Sequence, residues 1–370
     1  MRIALIGPFA PFRGGIAQFN DRLLQELESR SHRVLPLTFS RQYPDFLFPG
    51  TSQLDPSRSG SAEPIIDSLN PISWRKAGRR IREFGADVAV SAYWTPHLAP
   101  ALAGVLQTGG AAGIGLVHNM MPHDGGALSK PLGRYFLKRL QGALTLSEAV
   151  SLELEGLGFS KPVETTPHPV YDHFGEPIDQ KEARRTLGLP ESDPILLCLG
   201  LVRPYKGFEL ALDAMPTILK TLPDAKLVIA GEAYDSALAV KLSQLPALSG
   251  VVRRDDRYIP DAEVPLYYSA ADALILPYRR ATQSGALAAA AHFGLPVVVT
   301  DVGGLADPVR KYEMGAIAED HSQIAIAKAV LEVLSSENRE QYRVGSRRMA
   351  KEATWAVLCD KLELLITKIR

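Results

Sequence analysis

The chain of 370 residues has little of what usually announces a function. Two cysteines, Cys198 and Cys359, are too few for a disulfide framework, which points to a reducing compartment. Cys198 lies in the apolar run ILLCLG and reads as a small buried hydrophobe rather than a nucleophile. No apolar run reaches bilayer-spanning length, and MRIALIG is too short for a signal peptide, so a cytoplasmic protein is expected. Neither sign of charge prevails: 41 Lys plus Arg stand against 41 Asp plus Glu, and no global field favours nucleic acid. No GxGxxG follows the first apolar run and no Walker P-loop is present, which removes the strongest cues for dinucleotide redox and P-loop phosphoryl transfer. CxxC pairs, HExxH and acidic metal clusters are also missing, which removes the commonest metal-site cues. Asp255-Asp256 is an isolated pair that reads as a solvated turn.

What the sequence does have is rhythm. Apolar runs alternate with helix-period segments almost from end to end. RIALI, HRVLPLTF, DVAVSAY, GIGLVH and ALTLS read as strands, and Ile16, Phe19, Leu23, Leu24 and Leu27 share one helical face. The pattern restarts near Pro194 with ILLCLG, KLVIAG, ALILPY and PVVVT, and with Phe208, Leu212, Met215, Leu219 and Leu222 in helical register. Alternation of this kind means parallel pairing, hence an α/β fold of two Rossmann-like, doubly wound domains with a cleft between them. The segment rich in Pro and charge, 162–180, is the linker candidate. The expected division is 1–172, 173–350, and a terminal helix at 351–370. Residues 40–64, long and proline-rich, read as a loop near a second substrate or as plain disorder.

Three places carry candidate chemistry. Gly14-Gly15 closes a loop after the first strand and opens a helix, where backbone amides favour an anion, although the pair also fits a plain turn. Arg203 and Lys206 in LGLVRPYKG stand just past a strand in the second half. Two cations beside a helix amino terminus suit a diphosphate, and exposed surface cations are the alternative. In GLVHNMMPHDGG, His118 ends a strand, with Asn119, His123 and Asp124 behind it. A ligand-contacting His118, a structural histidine and a metal site all remain open.

Read in order, GPFAPFRGGIAQFN, VHNMMPH, LGLVRPYKGFELALDAM, PDAKLVIAGE, YIPDAEVPLYYSAADALILPY and GLPVVVTDVGGLADPV resemble the retaining glycosyltransferases of GT-B fold, family 4 by sequence class. Trp355, in KEATWAVLCDKLELLITKIR, matches that family's terminal helix crossing back to the first domain. The resemblance implies a UDP- or GDP-linked sugar in the cleft, a glycan or lipid-linked acceptor, and neither cofactor nor metal. Position by position, it assigns Arg203 and Lys206 to the donor diphosphate and Gly15 to the phosphates or acceptor. His118 falls to the transferred sugar, Glu232 to the donor's vicinity, and the backbone at Tyr258-Ile259 to the base.

One departure stands out. The family carries two glutamates eight positions apart, and here those positions are Ala281 and Ala289; from Ala281 to Thr300 there is no carboxylate. The lost sugar contacts are expected to pass to Thr282, Gln283 and Ser284, while the amides around Ser284-Gly285, at a helix amino terminus, join Arg203 and Lys206 in stabilising the diphosphate. Three functions fit: a retaining transferase serving bacterial surface glycan or glycolipid synthesis, a nucleotide-sugar epimerase or hydrolase on the same fold, or a non-catalytic donor-binding scaffold. Arg75, Lys76, Arg79, Arg80 and Arg82 give SWRKAGRRIREF a cationic face, suited to an anionic membrane surface or to plain solvation.

Overall fold

The structure, a computed structural model, describes residues 1–44, 52–121, 127–233 and 250–370. The chain divides into two compact units, Met1–Pro167 with Trp355–Arg370, and His168–Thr354.

The first unit contains β1 (Arg2–Ile6), α1 (Gly15–Ser29), β2 (Arg33–Arg41), β3 (Glu63–Asp67), α2 (Pro71–Phe84), β4 (Val88–Tyr93), α3 (Ala99–Gly109), β5 (Ala112–Val117), α4 (Ser129–Leu137), β6 (Gly142–Thr145), α5 (Glu148–Gly156) and β7 (Val163–Thr165). Its strands form one parallel sheet in the order β3-β2-β1-β4-β5-β6-β7, with Ile3 paired to Val34 on one side and Val88 on the other. Every residue of β4 is buried, as expected of a parallel strand covered on both faces. On one face, α1 packs Phe19, Leu23 and Leu27 beside Trp355, Leu358 and Leu362 of the chain's last helix. The other face is covered by α2, α3, α4 and α5 through Ile81, Leu102, Phe136 and Leu154.

The second unit contains α6 (Gln180–Leu187), β8 (Ile195–Leu199), α7 (Phe208–Ile218), β9 (Lys226–Ala230), β10 (Val252–Asp255), α8 (Val264–Ala270), β11 (Ala273–Leu276), α9 (Gly285–His292), β12 (Val297–Thr300), α10 (Asp307–Tyr312), β13 (Gly315–Ala318), α11 (Gln323–Leu334) and α12 (Arg339–Glu352). The last helix, α13 (Trp355–Ile369), belongs to the first unit. The strand order β10-β9-β8-β11-β12-β13 is again parallel throughout. Asp272, only 3% exposed, ties this unit together: it accepts from the Ile195 amide at 2.7 Å, from Arg184 at 2.7 Å and from Gln180 at 3.2 Å, and pairs with Arg339. A buried carboxylate with this many donors holds α6 and α12 to the foot of β11.

Some sequence expectations change. Residues 40–64 are not a loop throughout: β2 runs to Arg41 and β3 starts at Glu63, pairing in parallel. Pro64 is tolerated because β3 is the sheet's edge strand. Between them, Asp55 accepts from the Ser57 amide and hydroxyl, and Arg58 reaches the Phe12 carbonyl and Asp21. Residues 45–51 lie outside the described residues. Asp255 is no solvated turn; it ends β10 and accepts the Tyr267 hydroxyl at 2.6 Å. The helix of the second half stops at Ile218, so Leu219 and Leu222 pack from the following turn, partly buried.

Candidate functional site

In a doubly wound sheet, ligands bind beyond the carboxyl ends of the strands, where the strand order reverses. In the second unit that reversal lies between β8 and β11. Arg203 and Lys206 follow β8, Glu232 follows β9, Tyr258 and Ile259 follow β10, and Thr282 to Gly285 follow β11. The topology thus brings every sequence-predicted residue of this half to one sheet edge. The turns there interlock through glycine. Gly231 has φ 145°, and a Cβ on it would sit 2.1 Å from the Gly200 carbonyl oxygen. Neighbouring amides complete the fit: Gly200 N–H donates to Ala230 at 2.9 Å and Val202 N–H to Glu232 at 2.9 Å. The Arg279 amide donates to the Tyr205 carbonyl at 2.7 Å, which joins the turns after β8 and β11.

Lys206 is the electrostatic centre of this edge. Its Nζ lies 5.8 Å from the ring centres of both Phe208 and Tyr278. Burial, then the charge of Arg203, pulls the ammonium down to about 8 from its ordinary 10.5. Arg279 donates to Glu209 at 2.7 Å, and the second oxygen of Glu209, buried, has no hydrogen-bond partner among the described residues. Ser284 caps α9 by accepting from the Leu287 amide at 3.4 Å, and Gly285 is the first helical residue. A Cβ on Gly285 would lie 2.7 Å from the Tyr171 ring, so the start of α9 rests on that tyrosine. Ala281 and Ala289 are both buried, 6% and 2% exposed. The alanine-rich helix packs tightly on β11 and α12.

In the first unit the reversal lies between β1 and β4. Gly14 caps α1 with φ 102° and open space around its Cβ position, and Gly15 opens the helix with no side-chain cap. His118 follows β5 and donates its amide to Tyr93 at 2.8 Å. It is 3% exposed, and its ring meets Phe19 edge-on at 4.8 Å. His123 and Asp124 lie outside the described residues. Among the described residues no three His, Cys, Asp or Glu side chains gather as a metal site would need.

The cationic helix divides. Arg79 pairs with Glu83 at 3.8 Å and Arg80 with Glu63 at 3.0 Å, while Arg75, Lys76 and Arg82 are exposed. None of the helices in the described residues is long and apolar enough to cross a membrane.

Sequence reading missed Tyr171, Tyr278 and the Arg279–Glu209 pair. Tyr171 sits in the linker, where no periodicity marks a buried ring. Tyr278 and Arg279 follow an apolar strand, and that position was the available signal.

The family description "Glycosyltransferase Family 4" matches residues 13–173, and "Glycosyl transferases group 1" matches residues 179–349. The chain is 30% identical over 193 residues to the D-inositol 3-phosphate glycosyltransferase of Jonesia denitrificans, covering 49% of this chain and 45% of that one. It is 33% identical over 138 residues to the lipopolysaccharide core biosynthesis mannosyltransferase LpsB of Rhizobium meliloti, covering 37% and 39%. The matched region is thus less than half the length of either relative. Among solved structures, the sucrose-phosphate synthase of Thermosynechococcus elongatus superposes with a TM-score of 0.78 at 18% identity, covering 100% of this chain and 98% of the other. The Anabaena protein Alr3699/HepE, solved with UDP, gives 0.71 at 14% identity, covering 99% and 100%. Two family matches that together span most of the chain, on two parallel doubly wound sheets, place it among the GT-B glycosyltransferases of the family 4 type.

Proposed function

We propose that this chain is a retaining glycosyltransferase that moves a sugar from a nucleotide-sugar to a glycan or lipid-linked acceptor, without metal. The observation that carries the proposal is the pair Arg203 and Lys206, set at the β8/β11 reversal beside the amino terminus of α7. A diphosphate is the anion that two cations beside a helix amino terminus suit. Neighbours of the same fold solved with UDP, UDP-glucose or ADP support a nucleotide donor. The name of one relative, a lipopolysaccharide core mannosyltransferase, supports an acceptor from surface-glycan chemistry, while the other names D-inositol 3-phosphate.

In the proposed reaction the bond from the sugar's anomeric carbon to the diphosphate oxygen breaks, and a bond to the acceptor oxygen forms on the same face. The acceptor's proton passes to the departing phosphate oxygen, and a nucleoside diphosphate leaves. Arg203 and Lys206 stabilise the charge that grows on that leaving group, which is where electrostatic catalysis acts most strongly. The side chains of Thr282, Gln283 and Ser284 take the sugar contacts, and the amides around Ser284 and Gly285, at the amino terminus of α9, add to the stabilisation of the diphosphate. The buried alanines at 281 and 289 favour one rival, a donor-binding scaffold without turnover.

A thermal-shift panel of nucleotides and nucleotide-sugars tests the reading. A matched donor at a hundred times its Kd stabilises by about 2.7 kcal/mol. Arg203→Ala is then expected to lower turnover by at least about a hundredfold. A stabilising donor that is never consumed would establish the scaffold, and consumption without acceptor would establish a hydrolase or epimerase. Turnover retained in Arg203→Ala would refute the mechanism.

A further inference from the structure

Lys206 sits in a seat whose two walls come from distant parts of the chain. A Cβ on Gly200 would lie 2.8 Å from its Nζ, so the bare glycine makes the floor. The rings of Phe208 and Tyr278 make the walls, each centred 5.8 Å from the nitrogen. Phe208 opens α7, and Tyr278 stands in the turn after β11. The residue following each wall is charged. Glu209 and Arg279, 70 residues apart, form an ion pair in which Nη2 and Nε of the arginine both donate to one carboxylate oxygen, at 2.7 and 3.3 Å. The backbone joins the same two segments: the Arg279 amide donates to the Tyr205 carbonyl at 2.7 Å, and the Pro277 carbonyl lies 2.3 Å from where a Cβ on Gly207 would be.

The pair is poorly built for stability alone. Glu209 is 7% exposed, and its second oxygen is buried with no hydrogen-bond partner among the described residues, while the Arg279 side chain is 47% exposed. A buried ion pair left half satisfied often stabilises no better than a well-packed apolar residue in its place. An acid also suits the first turn of a helix, but that role needs neither burial nor a distant arginine. What the pair does fix is the approach of the turn after β11 to α7, and with it the room left for water around Lys206.

We infer that Glu209 and Arg279 are positioning residues for Lys206: by bracing the turn after β11 against α7 they keep its ammonium out of water, where an anionic oxygen gains most from it. The seat is a property of the empty protein; that a diphosphate fills it rests on the proposed function. The sign of the effect separates a brace from a charge. If Glu209 acted on Lys206 through its own negative charge, removing it would make the ammonium harder to keep. As a brace, its removal admits water and makes the ammonium easier to keep.

The experiment compares urea unfolding of the parent, Lys206→Met, Glu209→Leu and the double variant between pH 7 and 10. The effect of Lys206→Met within each background reports the lysine. Around it stand Arg203 and Tyr205 on its own turn, Cys198 on β8, Tyr278 after β11 and Glu209 on α7; burial pushes Cys198 and Tyr278 well up, so neither ionises in this range. In the parent background the gain from Lys206→Met should fade as pH passes about 8. In the Glu209→Leu background it is expected to be smaller and to fade at least about one pH unit higher. Glu209→Gln keeps an acceptor for Arg279 without the charge and should fall between; it replaces Glu209→Leu if that variant does not fold. Calorimetry with UDP and GDP adds a second readout. Whichever binds the parent should bind Glu209→Leu about tenfold more weakly at pH 7, with a smaller further loss at pH 9. A gain from Lys206→Met that is unchanged or larger without Glu209 would overturn the inference and leave the pair a structural tie, as would equal nucleotide affinity in parent and Glu209→Leu. If neither nucleotide binds the parent, the proposed function falls instead, and the unfolding curves still decide the brace.

Discussion

Lys206→Met should make the empty protein more stable at neutral pH. The lysine is held at about 8 against an ordinary 10.5, first by burial and then by the charge of Arg203. At about 1.4 kcal/mol for each pH unit of separation, keeping it charged costs at most about 3 kcal/mol. The rings of Phe208 and Tyr278 at 5.8 Å offset part of that, so the figure is a ceiling. The sign follows from linkage. Below pH 8 both folded and unfolded chains carry the proton and the whole cost is present. Between 8 and 10.5 the folded chain gives up the proton while the unfolded chain keeps it, so native stability rises with pH. Urea-unfolding curves of the parent and Lys206→Met between pH 7 and 10 isolate this group, because every other titration cancels in the difference. The variant's advantage should be largest at pH 7 and shrink as pH rises past 8. A bound nucleoside diphosphate should reverse the effect by restoring the charge. Calorimetry in two buffers of unlike ionisation enthalpy should then show proton uptake on binding above pH 8, and affinity should fall as pH rises. A stability difference that does not vary with pH, or a variant less stable at pH 7, would refute the argument.

Two further substitutions test the frame beneath the site. Asp272→Asn removes the charge facing Arg184, 3% exposed, and should cost about 3 to 5 kcal/mol in urea unfolding; a loss under about 1 kcal/mol would mean that water replaces the carboxylate. Gly231→Ala places a Cβ against the Gly200 carbonyl at a φ that side chains rarely adopt, so it should cost about 2 kcal/mol or more and abolish the thermal response to nucleotides. A normal nucleotide response in that variant would place the donor elsewhere.

The central strands were legible because a parallel strand buried on both faces must be an unbroken apolar run. RIALI, VAVSAY, ILLCL and ALIL are all buried or nearly so. The edge strands were not. EPIID, VET and VRRD are short and polar because one side of each is unpaired or solvated, and their pairing depends on partners far along the chain. The same divide runs through the site. Arg203 and Lys206 could be read from a strand end followed by a glycine turn, all within one stretch. Tyr171 could not, since its role depends on Gly285, in another stretch of the unit. Nor could the pairing of Glu209 with Arg279, 70 residues apart. Edge polarity and long-range contacts leave no periodic trace in a sequence.

The missing carboxylates and the depressed lysine are two sides of one electrostatic arrangement. The turn that follows β11 is held by shape: the Ala281 carbonyl lies where a Cβ on Gly303 would be, and Gly285 lies on Tyr171. Its geometry therefore does not depend on an acid. A glutamate at 281, in the turn after β11 at the same end of the sheet as Lys206, would supply negative charge and raise the lysine towards its ordinary value. With alanines there, the influences that lower Lys206 are burial and another cation. The buried lysine thus creates a demand for negative charge, at a cost in stability while no anion is bound. On the proposed function, the donor's diphosphate meets that demand. The alanines then shift recognition from the sugar towards the diphosphate, with neutral hydroxyls and amides left to choose the sugar. Such a site should hold the nucleoside diphosphate product nearly as firmly as the intact donor, making product release the slow step. If instead the donor binds much more tightly than its diphosphate alone, the sugar contacts at Thr282 to Gly285 carry more of the binding than their charge suggests.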